Sequence, residues 1–200
     1  MKRAARAAVA SSAILLLGAC ASFERPHSVE LTRSGRFALT AAWGEGDAAR
    51  RESSSGRFTL HAGNGRQILD LASPLGTTVA RVQLDASGAT LTTPSSGGMQ
   101  EVRSADAESL TQDVLGFRLP VGGLADWIQG RPAPAPAPES VEGDPRRPEA
   151  FVQNAWRVRV AERTDAGPRR LLLDYPARGA PPAGTPAVRL TLLVDSDGTP

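Results

Sequence analysis

From Arg36 onward, apolar and polar positions alternate: Phe37, Leu39, Ala41 and Trp43 stand against Arg36, Ala38, Thr40 and Ala42. A period of two predicts a half-buried strand. Gly44 to Ser54 is charged and reads as a loop, after which Phe58, Leu60 and Ala62 mark one face of a second strand. Gly63-Asn64-Gly65 predicts a tight turn into a strand over 67–72 that carries Leu69 and Leu71. Ser73-Pro74-Leu75-Gly76-Thr77 interrupts the alternation. Strands are then expected over 78–84, 89–93 and 100–103, separated by turns at 85–88 and 95–98. The pattern is that of an antiparallel meander.

The period then changes. Between Ser104 and Leu115 the apolar residues are Ala107, Leu110, Val114 and Leu115, a helical stripe. Asp106 and Glu108 suit a helix start, and Gly116 suits its exit. A second short helix is predicted over 123–129, with Leu124, Trp127 and Ile128 on one side and Gly130 closing it. Residues 131–149 carry proline at alternate positions, which favours an extended, solvated loop. The sheet resumes with Trp156, Val158 and Val160. It turns at 164–168, runs back over 170–175, and ends in a strand over 188–194. Pro181, Pro182 and Pro186 exclude a central strand before that last one. No internal repeat of fixed period is visible.

Charge sharpens the picture at the N-terminus. Lys2, Arg3 and Arg6 precede an apolar stretch from Ala7 to Leu17, the layout of a secretory signal peptide over residues 1–19. The stretch is shorter than the ~20 residues a spanning helix needs. It ends in Leu17-Gly18-Ala19-Cys20, which resembles the bacterial lipobox, so Cys20 is expected to be the acylated first residue of a lipoprotein. Several acyl chains anchor stably where one binds only reversibly. Ala21 follows the cysteine where aspartate would imply retention in the inner membrane, so the resemblance points to the outer membrane, on its periplasmic face. Residues 20–34 read as a tether and 35–200 as one domain.

Beyond residue 19 the chain holds 20 arginines against 21 carboxylates, with no basic run longer than two, which offers no footprint for nucleic acid. One cysteine excludes internal disulfides, and His27 and His61 leave little for zinc or for histidine catalysis. No nucleophile elbow, phosphate loop or dinucleotide fingerprint occurs, so no enzyme and no cofactor are expected.

Apolar chemistry is better represented. A curved sheet covered by two thin helices can enclose a cavity whose natural guest is an acyl chain. The inward positions that would line it are Phe37, Leu39, Trp43, Phe58, Leu60, Leu69, Leu71, Leu110, Val114, Leu124, Trp127, Ile128, Trp156 and Tyr175. The same pattern is equally satisfied by a filled core, in which case the protein would be a structural envelope lipoprotein. Leu75, between Pro74 and Gly76, lies off either strand's alternation. If exposed, it is an apolar point suited to a lipid interface or a partner's groove.

The lipobox, Gly-Arg-Phe-Ala-Leu at 35–39, and the run from Ser73 to Leu84 together resemble the LolB family of outer-membrane lipoprotein receptors. So do the segment from Asp106 to Pro120 and the Gly-Gly-Leu-Ala-Asp-Trp-Ile-Gln-Gly stretch at 122–130. The likeness is good over 35–131 and weaker over 156–194. It implies an incomplete antiparallel β-barrel with a helical lid over an apolar cavity. It further implies a monomer that takes acylated lipoproteins from a soluble carrier, LolA, and inserts them into outer-membrane lipid without nucleotide or metal. Leu75 matches the family's membrane-delivery leucine. The proline-rich 131–149 segment departs from the family pattern.

Overall fold

Strand alternation organises the chain into two meanders. The computed structural model describes residues 31–44 and 50–195; Cys20, His27 and the expected leader lie outside them. The first meander is β1 (Leu31–Trp43), β2 (Arg50–Gly63), β3 (Arg66–Ala72), β4 (Thr78–Asp85), β5 (Gly88–Ser95) and β6 (Gly98–Ser104). Helices α1 (Ala107–Leu115) and α2 (Val121–Trp127) follow. The second meander is β7 (Ser140–Asp144), β8 (Arg147–Gln153), β9 (Trp156–Thr164), β10 (Gly167–Tyr175) and β11 (Ala187–Val194). Pairing of β11 with β1 joins both into one antiparallel sheet, ordered β6-β5-β4-β3-β2-β1-β11-β10-β9-β8-β7 among the described residues. Its end strands β6 and β7 do not pair, so the barrel is incomplete. The helices cover the hollow: α1 packs on β5 and β6, while α2 meets β3 and sets Trp127 edge-on to Phe151 of β8.

Three boundaries differ most from those the alternation predicts, and α2 starts and ends two residues before the predicted 123–129. β1 begins at Leu31, inside the stretch read as tether, because Leu31 to Ser34 pair with Ala62 to Thr59. β2 begins at Arg50, inside the stretch read as loop to Ser54, and its first residues pair with the end of β1 (Trp43↔Arg50, Ala41↔Glu52). The segment 131–149 is not one solvated loop, since its second half forms β7 and enters β8. In all three places polar residues predominate, so no hydrophobic period announces them. Backbone pairing with a neighbouring strand makes them strands. The turn expectations hold: Asn64 (φ 54°) and Gly65 (φ 69°) both adopt the left-handed backbone that a two-residue hairpin turn requires.

One short motif is used twice. Ser-Gly-Arg-Phe occurs at 34–37 and at 55–58, and antiparallel register sets the copies head to tail: Gly35↔Phe58, Arg36↔Arg57, Phe37↔Gly56. Each phenylalanine ring covers the glycine of the other copy. A Cβ at Gly35 would fall 2.9 Å from Phe58 Cε1, and one at Gly56 would fall 3.0 Å from Phe37 Cε1. Glycine in a strand interior marks a close approach of this kind. On the outer face, Arg81 lies directly across from Asp70 and Arg189 from Asp174. Both guanidinium groups are held above their ordinary pKa by the hydrogen bond and then the charge of the facing carboxylate.

The helices are fastened by named polar contacts. Asp106 caps α1 by accepting from the Ser109 N–H at 2.7 Å, and Gly116 (φ 78°) closes it. The Gln67 amide donates to the Val121 carbonyl at the start of α2. Gln153 of β8 is wholly buried. Its Oε1 accepts from Trp127 Nε1 at 2.7 Å and from the Ala133 N–H at 2.9 Å, while its Nε2 donates to the carbonyls of Ala133 and Pro136. Trp156 Nε1 donates to the Arg118 carbonyl at 3.2 Å.

Candidate functional site

Inward side chains of β1 to β5 and β11 do not fill the space beneath the helices. They enclose, with α1, α2 and the 117–119 connection, an open cavity of about 510 Å³. That volume lies within the ~300–1,000 Å³ usual for small-molecule sites. β1 contributes Phe37, Leu39, Ala41 and Trp43; β2 contributes Phe58; β3 contributes Leu69 and Leu71. The far wall is Val82, Leu91, Leu190 and Leu192, and the roof is Leu110, Val114, Leu115, Phe117, Leu119 and Leu124. The two glycines under the phenylalanine rings let those rings lie against the sheet, which leaves room above them.

Nine of the fourteen positions expected to line a cavity do so: Phe37, Leu39, Trp43, Phe58, Leu69, Leu71, Leu110, Val114 and Leu124. The other five belong to a filled core beside it. Leu60, Trp127, Ile128 and Trp156 are fully buried, and Tyr175 lies against the Trp156 ring with centroids 5.4 Å apart. Trp127 in particular does not cover the cavity; its indole N–H is spent on Gln153. Ala41, Val82, Leu91, Leu190 and Leu192 line the cavity as well and carry the same alternation signal. Glu52, Ser53 and Ser54 also line the cavity and carry no hydrophobic signal at all. Only register reveals the place of Glu52 and Ser54, opposite the inward Ala41 and Leu39.

The mouth is apolar on one side. Val79 of β4 and Val114 and Leu115 of α1 line it while remaining 43–46% exposed. The β3–β4 hairpin stands beside it. There the Gly76 N–H donates to the Ser73 carbonyl at 2.9 Å, Pro74 and Leu75 occupy the turn, and Gly76 takes φ 91°. Proline favours the turn at its second position, and a φ of this sign calls for glycine at 76. The turn leaves Leu75 95% exposed. His61 is an exposed strand residue 3.1 Å from the Thr32 hydroxyl and does not line the cavity. Among the described residues no helix is long and apolar enough to cross a membrane.

An open antiparallel half-barrel that is polar outside, with an unfilled apolar hollow under two short helices, defines a protein built to shelter an apolar ligand. Comparison with known proteins narrows that class. The family model described as outer membrane lipoprotein LolB matches residues 30–196. The outer-membrane lipoprotein LolB of Thiobacillus denitrificans is 37% identical over 170 residues, covering 84% of this chain and 90% of the relative. That of Ralstonia nicotianae is 37% identical over 210 residues, covering 95% and 96%. That of Bordetella petrii is 36% identical over 171 residues, covering 83% of each. The chain belongs to the LolB family of outer-membrane lipoproteins.

Proposed function

We propose that this protein is an outer-membrane receptor for lipoproteins: it accepts their acyl chains from a LolA-type soluble carrier and releases them into the bilayer. The observation that supports it most directly is the open apolar cavity, which a scaffold with a filled core would lack. Each methylene removed from water contributes ~0.8 kcal/mol. A carrier with a similar hollow offers nearly the same gain, so hand-over between the two proteins is close to balanced. A bilayer buries the chains completely and is the sink, so the route runs downhill without fuel. In this reading Cys20 carries the anchor that keeps the receptor at the membrane, and Leu75 enters lipid at delivery. The cavity holds the cargo and carries out no bond chemistry.

The test is transfer of a labelled lipoprotein from the loaded soluble carrier to the purified protein. The expected result is label co-migrating with the receptor and then passing to liposomes. A folded receptor that takes up no label would leave the scaffold reading in place.

A further inference from the structure

The cavity mouth has two unlike lips, and the second is polar. From Gly35 to the end of β1 five inward rungs follow one another: Gly35↔Phe58, Phe37↔Gly56, Leu39↔Ser54, Ala41↔Glu52 and Trp43↔Arg50. Along β1 the inward residues stay apolar to the end. Along β2 they pass from Phe58 through Gly56 to Ser54, Glu52 and Arg50. Arg50 Nε donates to Glu52 Oε1 at 3.0 Å, and the Arg50 guanidinium sits 4.9 Å from the centre of the Trp43 ring. Trp43 braces the guanidinium and thereby the carboxylate. The Glu52 side chain is 57% exposed, so its second oxygen remains open to a ligand. Among the described residues the Ser54 hydroxyl makes no hydrogen bond within the protein. These groups line the same cavity as the leucines of its walls.

A bare hydrocarbon chain has no use for a fixed carboxylate at the mouth of its site. An N-acylated peptide does, because its chain ends in an amide N–H followed by further backbone N–H groups. The geometry points to the β2 lip, Glu52 with Ser54, as the site that reads this polar junction: Glu52 accepts from the amide N–H of the acylated residue. The apolar lip of Val79, Val114 and Leu115 leaves the chain free to slide. The inference rests on the acyl-binding reading above and assigns the orientation of the ligand within it.

The test uses the full acylated protein in phosphatidylcholine nanodiscs and two radiolabelled probes with a photoreactive chain end. One is an N-palmitoyl peptide. The other is a palmitate alkyl ester of similar size, which has no N–H. The wild type should capture the amide about tenfold better than the ester, the worth of one charge-assisted hydrogen bond. Glu52→Leu should abolish that preference, with amide capture falling about tenfold relative to ester capture. Glu52→Gln, which keeps an acceptor but not the charge, should fall between. A preference that survives Glu52→Leu overturns the inference. Equal loss of both probes also overturns it, since Glu52 would then support the cavity instead of reading the junction. Capture of neither probe by the wild type would instead sink the acyl-binding reading beneath it.

Discussion

A methyl group at position 35 or 56 has no room. An ideal Cβ on Gly35 would stand 2.1 Å from the Leu193 carbonyl oxygen, and one on Gly56 would stand 2.1 Å from that of Ala72. Gly35→Ala and Gly56→Ala are therefore expected to push neighbouring strands apart and cost ~1–3 kcal/mol each. Urea unfolding checks the cost, and binding of an apolar dye should fall because Phe37 and Phe58 lose their seats. A second residue with a defined duty is Asp106. Hydrogen bonds from the Ser109 N–H and hydroxyl hold its carboxyl below the ordinary 3.8. A lowered pKa stabilises the fold above the unfolded value and stops doing so as pH falls through the folded one. The loss of Tm on Asp106→Ala should thus be constant near neutrality and shrink below about pH 3.8. Asp106→Asn, which keeps the cap without the charge, should show little loss and little pH dependence.

Helix α2 is too short to hold itself, with only the residues from Val121 to Trp127. It stays because its Trp127, the 133–136 stretch and β8 all converge on one amide side chain. Removing that amide in Gln153→Leu would strand the Trp127 indole N–H and the Ala133 N–H in a dry interior. The expected cost is on the order of 3 kcal/mol, read by chemical unfolding. Trp127→Phe should cost less, because Gln153 would keep its backbone partners. Sequence pattern marks Trp127 as apolar and inward, and that is correct. It does not show that the ring serves the core and leaves the roof of the cavity to Leu110, Val114 and Leu124. The deciding fact is a hydrogen bond to a residue 26 positions away.

On the proposed reading, the assembled barrel separates holding cargo from giving it up. The cavity walls lie within the sheet and under α1, whereas Leu75 projects, almost fully exposed, from the tip of the β3–β4 hairpin. Leu75→Glu should leave folding and uptake from the carrier close to wild type. Its charge would resist entry into lipid at a cost of up to ~3 kcal/mol, depending on depth. Delivery to liposomes should slow, with loaded receptor accumulating, while Leu75→Phe should still deliver. Following carrier-to-receptor and receptor-to-liposome transfer on the same preparation checks both halves. Delivery at the wild-type rate by the glutamate variant would show that Leu75 has no part in it.

Local rules carried much of this architecture. Alternation placed the strands bearing Phe37, Leu69, Val158 and Leu190, turn chemistry placed Asn64-Gly65 and Pro74-Leu75-Gly76, and the shift from period two to a helical stripe placed α1 and α2. These features are legible because each depends on neighbours a few positions apart. The start of β1 at Leu31, the β7–β8 hairpin and the polar lip at Glu52 and Ser54 depend on which strand lies alongside, and register across a sheet has no local signature. The cavity itself is of this second kind. An inward leucine reads the same whether it meets another side chain or an empty volume. Whether Leu71 or Leu192 fills a core or lines a hollow is set by the curvature of the open sheet and the seating of two helices, which the chain acquires only when its distant parts meet.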